Sequence, residues 1–277
     1  MSGRQVGWKA EAGVFLAVAF LAAGGLGVVQ PGTGIPAEVV QLTQFGPALG
    51  VLAVALLWPG RIGERLAGAW QARADTAWAG PGRRLLLTAP LIVGSAVGGY
   101  ALLSGDARLT DPRSLAHPFG LIAVAQLVGA CGEEIGWRCY LQPLLRTRFG
   151  PLTASVAVGL LWGAWHVQVF AQRPAYAAGF LLATVAMSVI LGLGLDGMRS
   201  GRLLLAGGFH TLVNLGLLLA MDEEDGAVPP MLLFGGACLL AAVPWVWGAT
   251  RSRARRDARP AVSVAPDRIP AVRHGAR

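Results

Sequence analysis

The sequence predicts an all-α polytopic membrane protein of about eight transmembrane helices, with both termini cytoplasmic. Three observations lead there. The 277-residue chain is 54% hydrophobic and only 14% charged, whereas a soluble domain carries about 25% charged residues to coat its surface. Apolar runs of bilayer-spanning length, about 17–25 residues, recur from end to end. Basic residues collect in alternate connections between those runs, as the positive-inside rule requires. The same composition excludes a wholly disordered chain, and three cysteines are too few for a disulfide-built module.

The spans are read at residues 12–29, 41–58, 85–103, 118–145, 152–170, 175–195, 203–221 and 230–248. None shows the two-residue alternation of a membrane β-strand, so each is read as a helix that satisfies its own backbone in lipid. Arg4 and Lys9 precede the first span and mimic a signal peptide, but its length and the spans that follow fit an uncleaved signal-anchor better. With the N-terminus inside, the inner segments hold 19 Lys and Arg, while the outer ones hold only Arg108, Arg113 and Arg173. The acidic run Asp222–Glu223–Glu224–Asp225 also falls outside. Topology therefore accounts for the net charge of +8, and no nucleic-acid partner is expected. The location expected is the plasma membrane.

Between the second and third spans, Ile62, Leu66, Trp70 and Trp78 recur at helical spacing with Arg65 and Arg73 among them. They suggest either an amphipathic helix on the inner leaflet or an ordinary surface helix. Residues 1–250 are read as the transmembrane helical domain, with a functional core at about 118–221. Residues 251–277, basic and punctuated by Pro260, Pro266 and Pro270, are read as a disordered cytoplasmic tail. Tail and basic loops are expected to meet anionic lipid. Cys131, Cys139 and Cys238 form no metal-ligand pair and are read as packing residues. No internal repeat, phosphate-binding glycine loop or HExxH pair is present.

Ionisable side chains are costly inside a span and imply function by default. Here they cluster as Glu133, Glu134 and Arg138 in the fourth span, His166 in the fifth and His210 in the seventh, with Asn214 beside His210. Glu134 and Arg138, four apart, share a helix face with the acid N-terminal to the base, whereas Glu133 points elsewhere. Glu134 precedes Gly150 by sixteen residues and His166 follows it by sixteen, so both lie ~24 Å from the turn between their helices. His210 and Asn214 lie ~12–18 Å past Arg202. Two carboxylates, two imidazoles, an amide and a guanidinium can thus share one depth.

That set suits hydrolysis of an acyl bond, a peptide first among them, by either of two routes. Glu133, His166 and His210 could hold a divalent metal such as zinc and leave a position for water. Alternatively, Glu133 could act as general base on water directly, with His210 and Asn214 stabilising the oxyanion.

The residues Glu133-Glu134-Ile135-Gly136-Trp137-Arg138 match the EExxxR signature of the CPBP intramembrane proteases. This is the CAAX-processing and bacteriocin-processing group, which includes the type II CAAX prenyl endopeptidases and the bacterial Abi proteins. The second motif, FxxxH, reads Trp162-Gly163-Ala164-Trp165-His166, with tryptophan in place of phenylalanine. The third, HxxxN, reads His210-Thr211-Leu212-Val213-Asn214. The resemblance runs from Cys131 to Asn214. It implies that Glu133 activates water, supported by Glu134 and Arg138, that His166 helps bind the water or a metal, and that His210 and Asn214 stabilise the oxyanion. The substrate implied is a membrane-embedded or lipid-associated peptide. Trp162 is expected to alter packing beside the site and not its chemistry.

Other readings give the same residues different work. Glu134 and Arg138 could be an ion pair that locks helices, and His210, beside Gly207 and Gly208, an interhelical hydrogen-bond donor at a close contact. A proton-coupled transporter could use the Glu/His cluster, although its polar groups occupy one depth and do not run through to the outer face. A non-catalytic scaffold or immunity protein could keep the motifs for stability.

Overall fold

In the computed structural model, which describes residues 7–66, 68–69, 80–107, 109–198, 200–221 and 226–257, every expected span is helical. The long elements are α1 (Trp8–Thr33), α4 (Gly80–Ser104), α5 (Phe119–Glu134), α8 (Pro174–Gly194), α9 (Arg202–Ala220) and α10 (Val228–Asp257). A π-helical segment, Ile135–Leu141, joins α5 to the short α6 (Gln142–Arg146). Two further apolar helices are shorter: α2 (Gly46–Leu57), entered through a 3₁₀ turn at Leu42–Phe45, and α7 (Pro151–Trp165). Among the described residues, six helices are long and apolar enough to cross a membrane, counting α5 to α6 as one. Fifteen residues of α7 reach ~22 Å, short of the ~30 Å hydrocarbon thickness.

The early end of α7 corrects the expected fifth span of 152–170. His166 has φ −77° and ψ 64°, outside the helical region, and a 3₁₀ turn follows at Val167–Ala171. The sequence places His166 within a span, whereas the structure places it at a helix end, where its side chain leaves the helical ladder. At the other end, Gly150 and Pro151 set a sharp start, with proline where a helix tolerates its missing N–H.

Small residues set the packing, as expected where lipid removes most of the hydrophobic drive between helices. A Cβ on Gly132 would lie 2.9 Å from the Phe45 ring, and one on Gly136 would strike Pro47, so the fourth span lies directly on the start of α2. A Cβ on Gly159 would sit 2.6 Å from the Val185 backbone, fixing α7 against α8. Helix α8 is central, with 67% of its apolar window buried. Other helices show bare apolar side chains outward, such as Leu21 of α1, Leu102 of α4 and Leu240 of α10.

Helix α3 (Pro59–Leu66) carries Ile62 and Leu66 of the expected amphipathic segment, while Trp70, Arg73 and Trp78 lie outside the described residues. Its arginines have a use that the sequence reading missed. Glu11 of α1, fully buried, pairs with Arg61 at 2.6 Å and Arg65 at 3.1 Å. These pairs tie α3 back onto the first span. At the other end, α10 continues as helix to Asp257, past the boundary expected at 250, and residues 258–277 lie outside the described part.

Candidate active site

The carboxylate pair stands where α-helix gives way to π-helix. Glu133 and Glu134 are the last residues of α5, and Arg138 sits in the π segment. A π-helix bonds i to i+5 and is wider than an α-turn; such turns are rare and often mark functional sites. Despite the change of winding, Arg138 Nε stays 3.3 Å from Glu134 Oε2. Both side chains are buried, at 1% and 0% exposure, so each compensates a charge that would otherwise be stranded in a low-dielectric interior.

Glu134 has a second partner on another helix. Its Oε1 accepts a hydrogen bond from His210 Nδ1 at 2.9 Å. The contact depends on a close approach of α9 to α5: a Cβ on Gly207 would come within 2.5 Å of Cys131 Sγ. Of the readings open for Glu134, Arg138 and His210, the ion pair and the interhelical hydrogen bond are both present. Neither consumes His210 Nε2, which keeps its capacity to accept or, in the imidazolium form, to donate.

Glu133 faces differently. Its Oε2 accepts a 2.8 Å hydrogen bond from the Trp162 indole N–H, and both residues are 2% exposed. The expectation that Trp162 only alters packing is therefore corrected, because its N–H contacts the carboxylate to which the sequence assigns water activation. Arg138 lies over the same indole, with its guanidinium carbon 4.4 Å from the ring centroid. The ring meets the edges of His210 at 5.2 Å and His166 at 5.9 Å between centroids. Glu133, His166 and His210 lie within electrostatic reach of one another.

His166 is tied to its own helix end. Its Nδ1 lies 2.9 Å from the Trp162 carbonyl oxygen, so Nδ1 carries the proton and donates it. The lone pair is then on Nε2. Trp165 and Phe180 flank the ring at 4.9 Å each, and Trp165 is itself anchored by donating to the Ala19 carbonyl at 3.2 Å.

The structure thus sets Glu133, Arg138, His166 and His210 around Trp162, with Glu134 joined to them through Arg138 and His210. Asn214 occupies the next turn of α9 and is half-buried. Its amide donates to Gln126 Oε1 at 3.1 Å, and Gln126 in turn donates to the Val39 carbonyl at 3.4 Å. Gln126 was missed in the sequence. Seven residues before Glu133, it lies on the same helix face ~10 Å away, and a search restricted to charged residues passes over it.

The two measures of depth made from the sequence, ~24 Å from Gly150 and ~12 Å past Arg202, are reconciled here. Arg202 lines one cavity of about 290 Å³ together with Arg138, Gln142 and Arg146. Helix α9 therefore starts beside the turn of Gln142, well short of Gly150.

Among the described residues, no three His, Cys, Asp or Glu side chains gather closely enough to hold one metal ion. The set Glu133, His166 and His210 thus does not fit a three-ligand zinc site in this arrangement; one oxygen of Glu133 is turned to the Trp162 N–H.

Apolar helices of membrane-spanning length, with a buried carboxylate pair and two histidines between them, define a polytopic membrane protein with an ionisable interior site. Residues 115–216 match the family model described as type II CAAX prenyl endopeptidase Rce1-like. Through this segment the chain is similar to the type II CAAX prenyl endopeptidases. The CAAX prenyl protease 2 of Methanococcus maripaludis is 28% identical over 163 residues, covering 54% of this chain and 56% of that protein. Lysostaphin resistance protein A of Staphylococcus aureus is 26% identical over 168 residues, covering 58% of this chain and 39% of the relative. The chain thus spans about half or less of the length of these curated relatives.

Proposed function

We propose that this chain is an intramembrane endopeptidase that hydrolyses a peptide bond of a membrane-associated peptide or protein. The observation that carries this reading is the convergence of Glu133, His166 and His210 on one buried site, with both imidazole Nδ1 atoms already engaged. A water between Glu133 and His166 would give one proton toward Glu133 Oε1, the oxygen that Trp162 leaves available, and the other to the lone pair of His166 Nε2. Glu133 removes the first proton as the water oxygen attacks the peptide carbonyl. His210, as an imidazolium paired with Glu134, presents Nε2–H to the oxyanion. Collapse breaks the C–N bond, and the proton held by Glu133 passes to the departing amine.

The ligand geometry favours this direct route over a metal-bound water. Activity is expected to survive chelation by EDTA or phenanthroline without loss; inactivation by chelator with recovery on added Zn²⁺ would favour the metal route instead. The names of the relatives, a CAAX prenyl protease and a lysostaphin resistance protein, fit a substrate held at a membrane, and a bacterial-type composition favours a membrane-bound peptide over a prenylated protein. The test is mass spectrometry of membrane peptides from cells with the wild type or Glu133→Ala. New peptide termini that depend on Glu133 are expected. A Glu133→Ala variant that still performs the cellular task would identify a scaffold, and cation flux through liposomes a transporter.

A further inference from the structure

A buried carboxylate that works as a base must be held in one orientation, and its neighbours decide which oxygen is available. At Glu133 a single side chain does this. The Trp162 indole N–H donates to Oε2 at 2.8 Å within a contact that water hardly reaches, both residues being 2% exposed. An indole N–H is a donor only, so it can hold Oε2 but cannot compete with Oε1 for the water proton. The ring itself is fixed on several sides, by the Arg138 cation 4.4 Å over its face and by the imidazoles of His210 and His166 at 5.2 and 5.9 Å. Its backbone carbonyl, in turn, accepts from His166 Nδ1 at 2.9 Å. One residue therefore sets the oxygen of Glu133 through its side chain and the tautomer of His166 through its main chain.

We infer that Trp162 is a positioning residue for the proposed base: its N–H holds Glu133 so that Oε1 faces the reacting water. This rests on the peptidase reading above. A phenylalanine would supply the ring for the Arg138 and imidazole contacts but no donor, so the inference predicts a specific dependence on the N–H.

Two substitutions separate donor from ring. Trp162→Phe removes the N–H and shrinks the ring; benzothienylalanine at position 162 keeps the bicyclic shape and replaces N–H by sulfur. A hydrogen bond to a charged group is lost in both, so kcat is expected to fall about 10- to 100-fold, with KM within about two-fold and the thermal unfolding midpoint of the benzothienyl protein unchanged. Wild-type kcat in the benzothienyl protein, with Glu133→Gln inactive, would overturn the role of Trp162 and leave the base intact. Wild-type kcat in Glu133→Gln would overturn the peptidase reading itself. A second measurement needs no substrate. In the full chain in detergent, labelled with ¹⁵N-indole tryptophan, the N–H resonance that disappears in Trp162→Phe is expected downfield and should move upfield in Glu133→Ala. A resonance indifferent to Glu133→Ala would sink the inference.

Discussion

Glu133 and Glu134 are chemically identical neighbours with different surroundings, and those surroundings predict opposite responses to mutation. Glu134 neutralises Arg138 and binds His210 across a helix boundary. Removing it strands a buried guanidinium, and loss of one partner of such a pair costs about 3–5 kcal/mol. Glu134→Ala is therefore expected to lower the unfolding midpoint clearly and to lower expression. Glu133 makes one side-chain hydrogen bond, from Trp162, and Glu133→Gln keeps an oxygen to accept it. That variant is expected to fold like the wild type while losing about 10²–10⁴-fold in turnover, the usual contribution of a general base. Thermal unfolding in detergent beside a cleavage assay checks both. Equal destabilisation by the two variants would place both glutamates in a structural role.

At the scale of elements, the site depends on how closely α9 approaches α5. Gly207 sits against Cys131, three residues before His210 and Glu134 respectively. Gly207→Val puts side-chain atoms where the Cys131 sulfur lies, and overpacking of this kind costs about 1–3 kcal/mol. It should also separate His210 Nδ1 from Glu134. The expected result is a lowered unfolding midpoint together with loss of activity, with Gly207→Ala intermediate in both. Wild-type activity in the valine variant would show that the His210–Glu134 contact is dispensable.

The elements themselves were largely legible in the sequence. Long apolar runs locate spans, and Pro151 and Pro174 mark helix starts that the structure repeats. What could not be read was local winding and partner choice. A π-helix at Ile135–Leu141 leaves no mark in hydropathy, because the same residues are apolar in either winding. The end of α7 at Trp165 was hidden by the apolar Val167, Val169 and Phe170 beyond it. The clustering of the five ionisable residues was legible from the cost of burying them. The hydrogen bonds of Trp162 and Gln126 were not, since neither side chain is charged. A buried indole N–H nevertheless needs an acceptor, and Glu133 was the acceptor without an assigned partner.

For the whole molecule, the proposed topology puts both termini and the turn at Phe149 in the cytoplasm, with Arg113 outside. Two of the three native cysteines are buried and the third is half-buried, so background thiol labelling should be low. Arg113→Cys is expected to react with a membrane-impermeant maleimide in intact cells, and Phe149→Cys only after permeabilisation. The reverse pattern would invert the assigned orientation and the side from which the site receives its substrate. The cavity shared by Arg138, Gln142, Arg146 and Arg202 lies on the same side as that turn.

The most direct measurement uses purified protein in heavy-oxygen water with a peptide whose cleavage has been found in membranes. The wild type is expected to place the heavy label in the new C-terminal carboxylate, and Glu133→Gln to form no labelled product while remaining folded. Labelled product at the wild-type rate from Glu133→Gln would contradict the assignment of Glu133 as the base that activates water.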